Sequence, residues 1–149
     1  MGIFNSTGGR RKIKNLQAAL ADFEQKFVRE DAPSFFRGKL ISETIAGVPG
    51  TMPLAQSGDR TVVGVQKGNL RRSYTVSSDG RFGWVRSNTS VAPYAKEVAK
   101  IVQTKTGRDY LQTTKFFYEA DLRAGFRKEL GRLNRIVGSG GNYVYQNPL

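Results

Sequence analysis

The sequence predicts an α+β fold in which a small antiparallel sheet packs with an N-terminal helix pair and a long C-terminal helix, with extended termini. Three observations lead to this prediction. Apolar residues follow helical spacing over residues 13–27 and again over residues 117–137, and two β-type segments flank an Asp79-Gly80 turn. Segregated helices around a short hairpin are typical of the α+β class.

One domain with three parts is expected from the 149 residues. Residues 1–12 are rich in Gly, Ser, Thr and Asn and then basic, which predicts a flexible basic arm. Residues 13–137 carry the periodic patterns of the α+β core. Residues 138–149 begin with a Gly-rich run and predict a C-terminal tail.

Two helices are predicted before the sheet. The first carries a stripe at spacings of three and four, made of Ile13, Leu16, Leu20, Phe23 and Phe27. The Asp31-Ala32-Pro33 sequence predicts a break, after which a second helix runs to about Gly47. Because residues 47–59 contain two prolines and several glycines, we expect a loop without regular structure there.

Strands are predicted over residues 61–66, 73–77 and 81–88. The last two form a hairpin, in which Gly80 is expected to take a positive φ at the turn. Leu70, Tyr74, Trp84 and Tyr94 are interpreted as core residues of this sheet. An alternative for Trp84 and Phe82 is a base-stacking platform, which requires exposure and the neighbouring cations Arg81 and Arg86.

A short helix or strand follows Pro93, and a turn is predicted at residues 106–108. The long last helix is expected to start at Thr113 or Thr114, because either residue is a good N-cap. Its apolar stripe ends near Val137, and the glycines of residues 138–141 end the helix.

Composition limits the function classes. The chain has 24 Lys and Arg against 12 Asp and Glu, a net charge of +12, and neither His nor Cys. These absences exclude disulfides, zinc sites with Cys or His ligands, and Ser-His-Asp catalysis. No phosphate-loop, dinucleotide-binding or EF-hand motif is present, so we predict a non-enzymatic protein without metal or cofactor.

The positive charge predicts an anionic partner: nucleic acid, an acidic protein surface or anionic lipid. Candidate contacts lie in two clusters, Arg10, Arg11, Lys12 and Lys14 near the start, and Arg127, Lys128, Arg132 and Arg135 on the last helix. Apolar and aromatic residues of the loop and the tail are candidates for contacts between subunits; these are Val48, Met52, Leu54, Tyr143 and Tyr145.

The chain offers one membrane hypothesis. Met1-Gly2 and Ser6 fit an N-myristoylation pattern, and the first basic cluster follows it. A flexible basic arm explains the same residues without a lipid. No apolar run approaches the roughly twenty residues that span a bilayer.

Three short phrases occur in a distinctive order. Val65-Gln-Lys-Gly-Asn-Leu-Arg-Arg-Ser-Tyr precedes the hairpin, and Pro93-Tyr-Ala-Lys-Glu-Val and Arg108-Asp-Tyr-Leu lead into the last helix. This order resembles the small neck, or tail-completion, proteins of tailed bacteriophages, the group that includes the lambda minor tail protein Z type. The resemblance covers roughly residues 60–135.

The resemblance implies a virion subunit that forms a ring of about six copies at the head–tail junction. Its partners would be further copies of itself, the portal or adaptor, and a tail-tube or tail-terminator protein, with double-stranded DNA in the channel. It would lie in the neck of the virion, and in the host cytoplasm during assembly. Two alternatives stay open: a non-specific nucleic-acid-binding module, and a membrane-apposed matrix-like protein that uses Gly2.

Overall fold

The computed structural model of the protein describes residues 6–45, 54–57, 60–63, 68–107 and 109–149. The fold is α+β, as predicted. In the described ranges, the strands form two separate antiparallel pairs rather than one small sheet. Helices pack around the second pair, and a long C-terminal helix runs along the whole core.

A continuous helical stretch opens the described chain. It comprises α1 (Ser6–Phe23), a π-helical segment (Glu24–Asp31), α2 (Ala32–Lys39) and a second π-helical segment (Leu40–Thr44). The prediction of a flexible arm over residues 1–12 is therefore wrong from Ser6 onwards, where α1 begins. The strong helix formers that follow, among them Arg, Lys, Leu and Ala, offset the low helix propensity of Gly8 and Gly9.

The predicted break at Pro33 is also wrong, because the helix widens there instead of ending. In a regular α-helix the Pro33 ring would meet the carbonyl group of Arg29. A π-helical turn precedes Pro33, and the Ala32 N–H accordingly bonds the Phe27 carbonyl five residues back. The wider turn accommodates the proline without ending the helix.

The first hairpin pairs β1 (Leu54–Ser57) with β2 (Arg60–Val63), with Leu54 opposite Val63. The prediction of an irregular loop over residues 47–59 is wrong at β1, since this short segment pairs with the β-branched run after it. Residues 46–53 and 58–59 lie outside the described part of the chain. The strand predicted from Thr61 is confirmed as far as Val63.

The second hairpin, β3 (Tyr74–Ser78) with β4 (Gly83–Ser87), is confirmed. The Asp79 carboxylate closes its turn by accepting the N–H groups of Arg81 at 2.7 Å and Phe82 at 2.8 Å. Gly80 does not take the positive φ that we expected. A four-residue turn held by an aspartate side chain does not need a left-handed residue at that position.

Two helices follow glycines or end at them. α3 (Asn69–Ser73) follows Gly68, which has a φ of 72°. α4 (Ala95–Thr106) resolves the helix-or-strand ambiguity after Pro93 in favour of a helix, and it ends at Gly107 with a φ of 79°. Both glycines adopt the left-handed conformation that other residues avoid.

The last helix, α5 (Tyr110–Gly138), begins earlier than predicted. Asp109 is its N-cap: its carboxylate accepts the Gln112 N–H at 2.8 Å, and the Gln112 side chain accepts the Asp109 N–H at 3.1 Å. This is a reciprocal capping box. Thr113 and Thr114, the predicted caps, lie buried inside the helix, so that prediction is wrong.

α5 ends as the glycine run predicted. The Gly140 N–H bonds the Val137 carbonyl at 3.1 Å, the Gly141 N–H bonds the Ile136 carbonyl at 2.9 Å, and Gly140 has a φ of 80°. These are the two hydrogen bonds of a Schellman motif. The chain then continues as an extended segment, residues 142–149, which we call the C-terminal strap.

Two hydrophobic clusters form the core, and α5 contributes to both. The first surrounds the second hairpin and contains Leu40, Ile45, Leu70, Tyr74, Ala92, Ala95, Val102 and Tyr110. The second joins α1 to the end of α5 and contains Ala19, Phe23, Phe27, Leu133 and Val137. Leu70 and Tyr74 are core residues as predicted. Tyr94 is 42% exposed, so its assignment to the core is wrong.

Candidate functional site

The N-terminal basic cluster lies on the projecting first half of α1. Its members, Arg10, Arg11, Lys12 and Lys14, are all exposed, as is every residue from 8 to 15. α1 runs antiparallel to α5, because Phe23 packs on Phe126 while Asn15 lies beside Gly141, past the end of α5. The basic residues therefore stand on a helix that extends beyond its packing partner.

The basic cluster of α5 is divided by the structure. Arg127, Lys128 and Arg135 are exposed, and the seven-residue spacing of Lys128 and Arg135 places them on one helix face. Arg132 does not belong to this exposed set. Its guanidinium group bonds the Glu129 carboxylate at 2.9 and 2.6 Å and also donates to the Val144 carbonyl. The prediction of Arg132 as an anion contact is therefore wrong.

Glu129 is the charged residue that is buried within the described part of the chain, with 2% of its surface exposed. Besides Arg132, it accepts the Tyr143 hydroxyl at 2.7 Å and the Gln146 N–H at 3.0 Å. Burial alone would raise the pKa of Glu129, but these donors outweigh burial and lower it. The Glu129–Arg132 ion pair therefore holds the C-terminal strap on α5 and is a structural anchor.

A second anchor of the strap is Tyr145. Its hydroxyl donates to Asp31 at 2.6 Å, and its ring lies 6.4 Å from that of Phe23 in an edge-to-face arrangement. Tyr143 and Tyr145, which we expected at contacts between subunits, are therefore engaged by the chain's own core. The residue between them, Val144, is 65% exposed. Successive side chains of an extended segment point to opposite sides, so Tyr143 and Tyr145 share the inward side and Val144 faces outward.

The remaining candidates for subunit contacts lie in the predicted loop. Val48 and Met52 are outside the described residues. Leu54 opens β1 and pairs with Val63. The loop prediction for subunit contacts thus stays a prediction.

The outward face of the second hairpin carries an exposed tryptophan. Residues opposite one another in the register share a face: Trp84 lies opposite Ser77, and Arg86 opposite Thr75. Thr75, Trp84 and Arg86 are all exposed, whereas Tyr74 on the other face is buried. The interpretation of Trp84 as a core residue is therefore wrong, because the core lies against the opposite face of the hairpin.

An apolar groove lies between α2, β4 and the first half of α5. Its volume is about 410 Å³, and we call it the α2–α5 groove. Six of its lining residues are Val28, Phe36, Gly83, Trp84, Leu111 and Leu122. Lys115 adds a positive charge at its rim. An apolar concavity of this size is suited to receiving one or two side chains of a partner.

A second apolar surface lies on α1. Ile13 is 58% exposed and Leu20 is 39% exposed, although both belong to the predicted apolar stripe. Leu16 is half-buried, and Phe23 and Phe27 are buried as the stripe predicted. We call Ile13 and Leu20 the α1 patch. Periodicity located the stripe, but it did not predict that its first half would remain uncovered.

The titratable groups of the described residues offer no constellation suited to metal binding, since no group of three acidic side chains converges. Glu30 and Asp31, the adjacent pair, have separate partners in Gln25 and Tyr145. Tyr74 and Tyr110 form a buried hydroxyl pair at 2.6 Å, and burial raises the pKa of both. None of the described helices is long and apolar enough to cross a bilayer.

Comparison with protein-family models, curated proteins and solved structures finds no match to this chain. The chain's own surfaces offer several features suited to contacts with a partner. These surfaces are two exposed basic clusters, an exposed aromatic hairpin face, and two separate apolar areas.

Proposed function

We propose that this protein is a non-enzymatic structural subunit of a phage virion, which forms a ring at the head–tail junction as a neck or tail-completion protein. The order of sequence phrases around the second hairpin supports this proposal, together with the α+β architecture. In this setting the ring joins the connector to the tail and lines or seals the DNA channel.

The presence of two different apolar surfaces on one subunit carries the proposal. The α1 patch lies on α1, and the α2–α5 groove is a concavity formed by other elements. A contact between two unlike surfaces is heterologous, and a heterologous contact closes into a ring when its rotation permits. An exposed, apolar helix face is typical of a protein–protein interface.

The charge of the subunit suits its proposed neighbours. A net charge of +12 attracts acidic protein surfaces and DNA. The projecting start of α1 and the outer face of α5 present these cations to a partner. We therefore propose a portal or adaptor on one side of the ring, a tail-tube or tail-terminator protein on the other, and duplex DNA in the channel, with a ring of about six copies.

Native mass spectrometry and negative-stain electron microscopy of the purified protein test the ring. We expect closed rings of one stoichiometry at micromolar concentration. A strictly monomeric protein that is also absent from assembled particles contradicts the proposal.

Two variants test the geometry of the contact. We expect Ile13→Asp with Leu20→Asp, on the α1 patch, and Leu122→Asp, in the α2–α5 groove, each to abolish the ring. Mixed in equal amounts, the two variants retain one intact pair of surfaces between them and should form heterodimers but no ring. Lys96→Asp on the exposed side of α4 is the matched control and should leave the ring intact. Heterodimers that fail to form while both variants stay folded would rule out a contact between these two surfaces.

A further inference from the structure

We infer that the outward face of the second hairpin binds single-stranded nucleic acid, with bases stacking on Trp84 and Phe82. Trp84 also lines the α2–α5 groove of the proposed ring contact, whereas Arg81, Phe82 and Arg86 are not among the groove's lining residues. It is defined by the exposed side of β3 and β4 together with the turn that joins them.

The two aromatic rings are exposed on consecutive outward positions of the hairpin. Trp84 is 36% exposed on the solvent face of β4, and Phe82, in the turn two residues earlier, is 63% exposed. The residues beside Trp84 on the same face, Ser77 and Thr75, are small and polar. A flat ring above short side chains leaves its π face open to a stacking partner.

The charges beside these rings favour a polyanion. Arg86 shares the outward face with Trp84, and Arg81 precedes Phe82 in the turn; both are exposed. The carboxylate of the turn, Asp79, accepts two backbone N–H groups of the turn. Cations that flank exposed aromatic rings are the combination that single-strand-binding surfaces use.

The chemistry distinguishes a single strand from a duplex. In a duplex the base faces are stacked on one another, so exposed rings have no base surface to contact. A single strand presents both its phosphates and its open base faces. Arginines bind the phosphates, and aromatic rings stack on the bases. A ligand that matches this hairpin therefore offers phosphates and open base faces together.

The chain contains one tryptophan, so its fluorescence reports on this site alone. We expect a 12-residue oligothymidylate to quench Trp84 emission saturably. An abasic oligonucleotide of the same length and charge serves as the base-free probe. It should bind more weakly and quench little, because it offers phosphates without bases.

Labelled oligothymidylate and fluorescence anisotropy then measure the variants. Loss of one stacking ring, in Trp84→Leu or Phe82→Leu, should weaken binding by roughly 5- to 150-fold. Arg86→Gln should weaken binding and reduce its salt dependence. Phe116→Leu, which changes a comparably exposed aromatic residue on α5, should leave the affinity unchanged. Circular dichroism confirms that each variant is folded.

Three results overturn the inference. The abasic probe binds as tightly as oligothymidylate, which assigns the affinity to charge alone. Folded Trp84→Leu and Phe82→Leu proteins bind as well as the parent protein. Alternatively, the same variants dissolve the ring without affecting oligonucleotide affinity, which assigns the face to protein contacts. A monomeric protein that still shows the expected quenching keeps this inference and contradicts only the proposed ring.

Discussion

Tyr145 donates a hydrogen bond of 2.6 Å to Asp31, a residue 114 positions earlier in the chain. The bond connects the C-terminal strap to the π-helical segment before α2. Since Glu129 and Arg132 hold Tyr143, Val144 and Gln146 on α5, the strap links the N-terminal helices to the last helix. The strap is thus part of the folded core.

The first prediction concerns this hydrogen bond. Tyr145→Phe keeps the ring against Phe23 and removes the donor to a carboxylate, so we expect the free energy of unfolding to fall by about 1.5 kcal/mol. Urea denaturation measures the change. Tyr94→Phe removes a hydroxyl from an exposed ring and should change stability by less than about 0.5 kcal/mol. Equal effects of the two substitutions would contradict a specific role for the bond.

A second prediction concerns acid stability. Hydrogen bonds from Arg132, Tyr143 and Gln146 lower the pKa of Glu129 despite its burial. A carboxyl group with a lowered folded pKa stabilises the protein above its unfolded pKa of about 4.3, and this contribution disappears as the pH falls. We expect Glu129→Gln to be less stable at pH 7, by roughly 3 kcal/mol, and to lose less stability between neutral and acid pH.

The matched control for Glu129 is Glu97→Gln, an exposed glutamate in the first turn of α4. It should keep the acid profile of the parent protein. Chemical denaturation at pH 3, 5 and 7 provides the comparison. If Glu129→Gln loses as much free energy of unfolding between pH 7 and pH 3 as the parent protein, Glu129 is not the group responsible for the loss of stability in acid.

The third prediction concerns alkaline stability. Burial is the largest cause that raises the pKa of Tyr74, Tyr143 and Tyr145, and their hydrogen-bonded partners raise it further. A tyrosine with a raised folded pKa contributes stability fully below its unfolded pKa of about 10 and loses it at higher pH. We expect the melting temperature to fall steeply above pH 10. The melting temperature of Tyr145→Phe should fall less steeply with pH than that of the parent protein. An identical slope in the two proteins would contradict a contribution of the Tyr145 hydroxyl to the alkaline loss of stability.

A fourth prediction compares two glycines of α5. A Cβ atom at Gly125 would lie 2.6 Å from Leu149 Cδ2, whereas one at Gly131 meets nothing within 4 Å. Gly131→Ala should stabilise the helix by up to about 1 kcal/mol. Gly125→Ala should not show this stabilisation, because the added Cβ atom forces Leu149 at the end of the strap to shift. Hydrogen exchange should show faster exchange of the Gln146 N–H in Gly125→Ala only; equal exchange rates in both variants would contradict the contact.

The fifth prediction concerns the close packing of β4 on the helical stretch. A Cβ atom at Gly83 would lie 2.5 Å from Pro33 Cγ and 2.6 Å from the Arg29 carbonyl oxygen. Since the backbone cannot yield easily, Gly83→Ala should destabilise the protein by about 1–3 kcal/mol. Gly80→Ala, in the same hairpin with open space around it, should be nearly neutral. Thermal denaturation separates the two, and a neutral Gly83→Ala would contradict the packing.

Periodic patterns predicted the existence of the helices and of the second hairpin. The apolar spacing of α1, the Asp79-Gly80 turn and the glycines after α5 are local signals, and each acts within a few residues. The helix boundaries were less accurate. At Pro33 a π-helical turn replaced the expected break, and at Asp109 a capping box began α5 ahead of the predicted threonine caps.

The candidate site was predictable only in part. The exposed cations of α5 follow from composition and helix phase, whereas Arg10, Arg11 and Lys12 were expected on a flexible arm and lie on α1. Glu129 and Arg132 stand three residues apart on α5, which is a local ion-pair signal. The contacts of Tyr143 and Val144 with this pair depend on the strap folding back over α5, which no local pattern encodes. Trp84 is exposed because the core lies against the other face of the hairpin, and strand alternation alone does not say which face is covered.

Composition and periodicity were sufficient to predict the α+β class, the positive charge, and the absence of cysteine and histidine chemistry. The packing of distant segments was needed to show that Tyr143 and Tyr145 face inward, that Trp84, Ile13 and Leu20 stay exposed, and that Glu129 is buried. The reason is physical: secondary structure follows from contacts a few residues apart, whereas burial depends on which distant segments meet. The contact of Tyr145 with Asp31 exists only once the two ends of the chain have packed together.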